Sequence, residues 1–334
     1  MKKDADKKTI IGQIGLGNWG QNLLKNFYLL PDCKLKYACD FDRSKTEKFS
    51  KIYPDVIFTD NYDEILEDKE VSAIVVAIPA VDHYSVAKKV LERNKHVFIE
   101  KPITLKFSEA QELVELAQKV NKKIMVGHLM LYHPAIIKLK QLIKTGELGD
   151  IYCIYTHRLN LGTIRKAENA MWSLAPHDIS IILHLLDEHP QTVFALGSSF
   201  IQSGIEDVVY LSMKFSSGKI GHVHVSWLDP NKKRQTVVVG SRKMAVFDEV
   251  SEKETLVLFD KGVELNNKLT LRDSGKFVIE VDKETPLKLE CEHFIESIKN
   301  GSEPLSNGKN GLDVLKVLTS AQKSLENGKV NELF

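Results

Sequence analysis

The sequence predicts an α/β half built on a doubly wound parallel sheet, then an α+β half built on antiparallel strands with helices on one face. Three observations carry this reading. Through residue 128, short apolar runs alternate with segments of helical period, as β-α-β-α units require. The first of these runs passes straight into a glycine-rich turn and a helix. From Thr192 onward the pattern changes to partly alternating strands parted by turn residues, notably Ser216-Ser217-Gly218. A chain of 334 residues suggests two domains, which we set at 1–126 and 127–334.

The organising stretch is Ile10 to Ile14, an apolar strand, followed by Gly15-Leu16-Gly17-Asn18-Trp19-Gly20 and the helical positions Leu23, Leu24, Phe27 and Leu30. In G-x-G-x-x-G the first glycine permits the tight turn, the second admits a pyrophosphate to the backbone, and the third lets helix and strand pack closely. The helix start offers free N–H groups and a positive dipole end to phosphates. Asn18 and Trp19 lie inside this loop and belong to the same expected dinucleotide site. The next strand, Leu35 to Asp40, ends in an acid about twenty positions on, where a carboxylate accepts from both adenosine ribose hydroxyls. A 2′-phosphate would be repelled there, which favours NAD over NADP. Arg43 is the nearby residue able to accommodate that phosphate instead.

Val56 to Thr59 reads as a short strand, and Val71 to Ile78 as a continuous apolar one buried on both faces. Pro79 ends it, and His83 opens the next helix, at strand ends where a ligand over the sheet would lie. Strand His96 to Ile99 then delivers Glu100-Lys101-Pro102. A lysine there can hydrogen-bond a substrate hydroxyl and lower the cost of the alkoxide that precedes hydride loss. The bland alternative is a surface lysine paired with Glu100. A helix from Ser108 to Asn121 and the strand Lys123 to His128 complete this half.

The motifs G-L-G-N-W-G-Q-N, V-V-A-I-P-A-V-D-H, E-K-P-I and V-G-H-L-M-L-Y-H-P-A resemble the Gfo/Idh/MocA oxidoreductase family over essentially the whole chain. That resemblance implies an N-terminal Rossmann domain, a C-terminal domain with a large open-faced, mostly antiparallel sheet, and bound NAD or NADP. It implies a catalytic or substrate-positioning role for Lys101. Lys101, through the cofactor ribose, and Glu100 are also expected among the cofactor-binding residues, and His128 among the substrate-binding ones.

In the second half, a stretch without simple period holds Asn160, Arg165, Asn169 and Trp172, groups suited to hydroxyls, phosphates and sugar faces. From Pro176 the chain reads as a helix, since proline suits a first helical turn. His177 is then at the helix start. It is the candidate general base, because a neutral imidazole can take the alcohol proton near pH 7. The resemblance supports that role, with a departure. Many sugar and inositol dehydrogenases of the family read D-x-x-x-H-x-x-D here, whereas this chain has Ser173 and Ser180, leaving Asp178 as a possible orienting carboxylate. The form N-L-G-x-x-R…W-S-L-A-P-H-D looks more like members acting on nucleotide-linked amino sugars, of the UDP-N-acetylglucosamine 3-dehydrogenase type. Oxidation at C3 of a UDP-linked N-acetylhexosamine follows as the expected activity. Another sugar (a uronate, a free sugar, an inositol), an NAD-dependent glycoside hydrolase and a non-catalytic NAD-binding sensor stay open.

Strands are expected at Thr192–Ile201, Val208–Phe215, Lys219–Trp227, Gln235–Gly240, Met244–Asp248 and Thr255–Phe259, with a hairpin region from Lys261 to Asp282 and helices at Leu287–Ile298 and Gly311–Leu325. A broad half-apolar sheet face left open is an interaction surface, so a homodimer or homotetramer through that face is expected. His222 and His224 alternate on one strand face, but no third ligand is evident, and no metal is expected. Lys and Arg (46) nearly cancel Asp and Glu (45), scattered as on a solvated surface, so nothing points to nucleic acid. The charged opening residues precede no apolar run suited to a signal peptide or membrane span. Cys33, Cys39, Cys153 and Cys291 form no C-x-x-C and fit free thiols in a reducing cytoplasm.

Overall fold

The computed structural model describes residues 8–266 and 268–333; the charged opening residues 1–7 lie outside the described residues. The chain forms two compact units. The first comprises Met1–Leu129 and Thr285–Leu315, the second Met130–Glu284 and Lys316–Phe334. The N-terminal unit thus runs a few residues past 126 and also takes in a segment from the far end of the chain.

In the first unit, β1 (Thr9–Ile14), β2 (Cys33–Cys39), β3 (Ile57–Thr59), β4 (Ala73–Val76), β5 (His96–Ile99) and β6 (Ile124–Val126) form a six-stranded sheet in the order β3-β2-β1-β4-β5-β6. All five pairings are parallel. The order reverses between β1 and β4, which makes their carboxyl ends the crevice where ligands bind in such sheets. Helices α1 (Gly20–Leu29), α2 (Arg43–Ser50), α3 (Asp63–Glu67), α4 (His83–Glu92) and α5 (Phe107–Lys119) connect the strands. Ile74, Val75, Val97, Phe98 and Ile99 are fully buried, as the continuous apolar runs require of strands covered on both faces. Phe27 of α1, Phe98 of β5 and Phe294 of the helix Pro286–Asn300 meet edge to face, with ring centroids 5.7 to 6.3 Å apart. Each such pair adds about 0.5–1.5 kcal/mol beyond its area burial, which helps explain why that late helix belongs to this unit.

The second unit opens with α6 (Pro134–Lys144) and β7 (Ile151–Leu159), followed by α7 (Ala170–Leu186). Strands β8 (Pro190–Ser198), β9 (Val208–Phe215), β10 (Ile220–Ser226), β11 (Lys233–Gly240), β12 (Met244–Asp248), β13 (Leu256–Asn266) and β14 (Lys268–Val278) come next. Helix α8 (Pro286–Asn300), which belongs to the first unit, and α9 (Gly308–Asn327) precede a last short strand, β15 (Asn331–Glu332). The nine-stranded sheet runs β14-β13-β12-β11-β7-β10-β9-β8-β15. It is antiparallel throughout except where β10 lies parallel to β7. The expected hairpin region is the β13–β14 pair.

Helix α7 packs on β10, β7 and β9. Val209, Leu211, Val223 and Val225 are buried in alternation along those strands, while Leu196 and Tyr210 on the opposite parity stay exposed. His222 and His224 lie on that opposite parity too. Tyr210 stacks on His224 at 4.1 Å, and Ser212 Oγ meets His222 Nδ1 at 3.1 Å. Among the described residues, no three metal-ligating side chains cluster, and no helix is long and apolar enough to cross a membrane.

The start of the helix that carries His177 differs from the expectation. Helix α7 starts at Ala170, not Pro176. Asn169 caps it by accepting from Trp172 N at 3.0 Å, and Pro176 sits inside the helix. A proline there removes the donor for the carbonyl one turn earlier. The cap and the burial of thirteen residues of α7 outweigh that cost.

Candidate active site

Gln13 braces the glycine turn from beneath. Its side chain is buried, and Nε2 donates to the carbonyls of Gly15 (2.9 Å) and Gly20 (2.7 Å), tying together the two ends of the loop. Gly15 has φ +99, and a Cβ there would stand 2.2 Å from the Ala77 carbonyl oxygen. Only glycine fits that position. A Cβ on Gly17, by contrast, would meet no atom of the chain within 4 Å. Nothing in the fold requires glycine at 17, so its absent side chain leaves space for something else. Gly17 lines a hollow of about 490 Å³, within the size range of small-molecule sites, together with Asp40, Phe41, Lys45, Tyr62 and Pro79. Gly17→Ala is accordingly expected to leave the melting temperature within about 2 °C of wild type, while raising the Kd for NAD at least about tenfold. Differential scanning fluorimetry and calorimetric titration check the two halves.

Asp40 closes one end of that hollow. Its Oδ2 accepts from Leu16 N at 2.7 Å and its Oδ1 from Asp42 N at 2.9 Å. This fixes the carboxylate against the glycine loop. Arg43 does not join it. The guanidinium reaches Asp60 at 2.7 Å in a separate depression shared with Thr46 and Glu47. Lys45 Nζ stands 3.3 Å from both Asp40 oxygens and lines the main hollow. Lys45, Phe41 and Tyr62 were not legible as site residues. Their only signal was position just beyond a strand end.

At the end of β5, Trp19 Nε1 donates to Glu100 Oε1 at 2.6 Å, and Lys101 N donates to Glu100 Oε2 at 3.2 Å. Trp19 thereby joins the glycine loop to the segment that carries Lys101. The Lys101–Pro102 peptide is cis. His83 is not an open ligand group. It is 1% exposed, and its ring nitrogens face the Pro102 carbonyl at 2.8 Å and the Ile78 carbonyl at 3.0 Å. Burial pushes its pKa down, so the neutral ring donates to one of the two and braces the Pro79 and Pro102 turns together. His128 is likewise buried, with Nδ1 at 2.6 Å from Asn310 Oδ1, and burial pushes it down to about 4, with Lys101 adding to the effect. It is therefore neutral at physiological pH, and the Lys101 charge is close enough for it to feel.

Burial pushes the Glu100 carboxyl up to about 7, against lowering by Lys101 and Trp19. Its folded pKa lies above its unfolded one, so ionising it in the folded state costs stability. Wild type loses that stability as pH rises from the ordinary carboxylate range to about 7, and the loss is constant above. Glu100→Gln lacks the titration. Its melting temperature relative to wild type is expected to rise between pH 5 and pH 7.5; a difference flat across that window would exclude the effect.

In the second unit His177 follows Pro176 inside α7, and its carbonyl accepts from Ser180 Oγ at 2.8 Å. Asp178, the acid next to it, is held by the sheet. Both Asp178 oxygens accept from Arg158, Oδ2 from Nε at 2.9 Å and Oδ1 from Nη2 at 3.3 Å, in a pair buried between α7 and β7. Arg158 also reaches Glu249 at 3.3 Å. Asn169 spends its side chain on the α7 cap, Glu206 (2.7 Å) and Gln322 (3.2 Å). Trp172 Nε1 donates to Gln322 as well, at 3.1 Å. Asn160 Oδ1 accepts from Arg234 Nη2 at 2.6 Å. Arg165 is more than half exposed and 3.9 Å from Glu168, the only one of these groups left with most of its surface open.

Residues 10–128 match the oxidoreductase family with NAD-binding Rossmann fold, and 136–246 match the GFO/IDH/MocA C-terminal domain. The chain belongs to the Gfo/Idh/MocA oxidoreductase family. It is 24% identical over 327 residues to the myo-inositol 2-dehydrogenase of Thermotoga maritima, covering 95% of this chain and 96% of that one. The fold is shared with UDP-N-acetylglucosamine 3-dehydrogenase GnnA from Acidithiobacillus ferrooxidans at TM-score 0.83 and 22% identity, over 95% of this chain and 97% of that one. GenD2 from gentamicin A biosynthesis, solved with NAD, matches at TM-score 0.84 and 19% identity, over 98% and 97%.

As a Gfo/Idh/MocA oxidoreductase the protein binds NAD, and the residues present fit it. The space left by Gly17 admits a pyrophosphate beside the amide-rich start of α1, and Asp40 offers carboxylate oxygens at the adenosine end.

Proposed function

We propose that this oxidoreductase oxidises the C3 hydroxyl of a UDP-linked N-acetylhexosamine, UDP-N-acetylglucosamine, to the 3-keto sugar. The observation that carries the reading is the environment of His177. Ser173 and Ser180 stand where inositol-type members carry acids, and the remaining acid, Asp178, is committed to Arg158. A site without those carboxylates suits the N-L-G-x-x-R…W-S-L-A-P-H-D form associated with amino-sugar nucleotides. The shared fold with GnnA is compatible with it.

In this reading Lys101 donates to the reacting oxygen, and its ammonium lowers the cost of alkoxide character there. His177 takes the hydroxyl proton as a neutral base. Arg165 has the exposure to meet the diphosphate, or a carboxylate if the sugar is a uronate. NAD, when bound, supplies the hydride acceptor. Asn169 and Trp172 shape the start of α7 rather than lend open polar groups to the sugar.

The test is NADH absorbance after mixing the purified protein with NAD and UDP-N-acetylglucosamine, beside its uronate and myo-inositol. A rise with the amino-sugar nucleotide alone is the expected result. A rise with myo-inositol alone would transfer the assignment to the activity named for the Thermotoga maritima relative. Product without net NADH would point to hydrolysis through transient oxidation.

We also propose that a second copy of the chain covers the open face of the sheet, where Leu196 (62% exposed) and Tyr210 (43%) adjoin. Leu196→Asp is expected to shift the mass measured by light scattering to that of a monomer.

A further inference from the structure

Residues 160–169 join β7 to α7, and the loop 199–206 between β8 and β9 is laced to them. Both ends of the first loop are tied down. Asn160 N and Gly162 N donate to the Ser226 and Trp227 carbonyls at 3.2 and 3.3 Å. Asn169 Nδ2 donates to the Glu206 carboxylate at 2.7 Å, and Ala170 N to the Glu206 carbonyl at 2.9 Å. Between these ends, residues 163–168 take one hydrogen bond from elsewhere among the described residues: Gln202 Nε2 donates to the Arg165 carbonyl at 2.9 Å. The donor comes from a fixed loop. Ile205 N closes a tight turn onto the Gln202 carbonyl at 3.2 Å. The fully buried Asp207 holds the approach to that turn, its Oδ2 accepting from Phe200 N at 2.7 Å and Ile201 N at 2.9 Å. Asp207 is joined to the sheet in turn, since Trp227 N donates to its carbonyl at 3.0 Å.

The Arg165 side chain is 56% exposed, and its Nε stands 3.9 Å from Glu168, too far for a hydrogen bond. A long side chain on an untied span samples many orientations, and binding must give them up. A bond to the backbone of that residue removes part of the cost before the ligand arrives. We propose that Gln202 is a positioning residue for the anionic part of the substrate: by holding the Arg165 carbonyl, it keeps the arginine ready to meet a diphosphate. The inference rests on the proposed role of Arg165 at that diphosphate.

The experiment titrates UDP, which carries the diphosphate without the sugar, by calorimetry into the full-length protein. Wild type, Gln202→Met, Arg165→Ala and the double variant are compared. Methionine keeps the length of the side chain and removes its donor. Gln202→Met is expected to raise the UDP Kd about three- to tenfold, the range for one neutral hydrogen bond, and Arg165→Ala about tenfold or more, for a charge-assisted contact. The double variant should bind no worse than Arg165→Ala alone, because the tether acts only through the arginine. In turnover with UDP-N-acetylglucosamine the loss in Gln202→Met should appear in KM rather than in kcat. Gln202→Ser, too short to reach the Arg165 carbonyl, repeats the measurement should the methionine variant fail to fold. A UDP Kd unmoved by Gln202→Met while Arg165→Ala weakens binding overturns the inference alone. A loss in Gln202→Met that is just as large in the Arg165→Ala background does the same, since it would show a general effect on the loop. Failure of UDP to bind wild type, or a Kd indifferent to Arg165→Ala, overturns the diphosphate reading and the inference with it.

Discussion

Lys101→Ala is expected to lower kcat with the amino-sugar nucleotide by about 10²–10⁴-fold, the range for losing a positioned proton donor and its charge. NAD affinity should fall much less than kcat, because most of the features argued to hold the nucleotide (Gly17, Asp40 and the start of α1) lie apart from the Lys101 ammonium. His177→Ala should fall in the same range. If the two act on one proton transfer, the double variant should be little worse than the worse single one, since groups acting as a unit are non-additive. Steady-state rates and a calorimetric NAD titration on all three variants separate the cases. A Lys101→Ala protein that binds NAD and turns over at a rate within a few-fold of wild type would remove Lys101 from the chemistry. Glu100 adds a control. Glu100→Gln retains an oxygen to accept from Trp19 and gives up only the longer contact from Lys101 N, so it should lose far less activity than Lys101→Ala.

Arg158→Ala is expected to destabilise the second unit by about 3–5 kcal/mol, the cost of leaving a buried partner charge uncompensated. Arg158 and Asp178 have side chains only 8% and 2% exposed. Burial drives the Asp178 carboxyl upward, and in the wild type Arg158 opposes that rise. In the variant the opposition is gone. The folded pKa of Asp178 then lies further above its unfolded value, so the variant loses stability as pH rises between the two. The deficit relative to wild type should therefore be smaller near pH 5 than at pH 8. Replacing the pair together, as Arg158→Met with Asp178→Leu, should cost much less than the single change, because no buried charge is orphaned. Urea unfolding at the two pH values checks all three statements. If Arg158→Ala costs under about 1 kcal/mol at pH 8, the ion pair is not what anchors α7 to the sheet.

The sequence by itself determined the architecture. Apolar runs of period two or of no period, glycine and serine turns, and the strand-G-x-G-x-x-G-helix order are local signals, and local backbone preference reads them directly. Met244–Asp248 and Val208–Phe215 fall at the expected bounds, and the expected Lys261–Asp282 hairpin region falls largely within the β13–β14 hairpin, which starts earlier at Leu256 and ends at Val278. Asp40 was legible because its distance from the glycine turn is set by one β-α-β unit.

The tertiary structure decided which polar atom meets which. Asn169 caps α7 with help from Glu206 and Gln322, residues far along the chain, so the helix starts well before Pro176. His83 turns inward to two carbonyls, Arg43 turns to Asp60, and Lys45 takes the place beside Asp40. Gln13, a polar residue within the first strand, is the brace of the glycine turn. Periodicity is a property of neighbouring residues. The pairing of buried polar groups is a condition on the whole fold, because each must find a partner wherever the folded chain brings one.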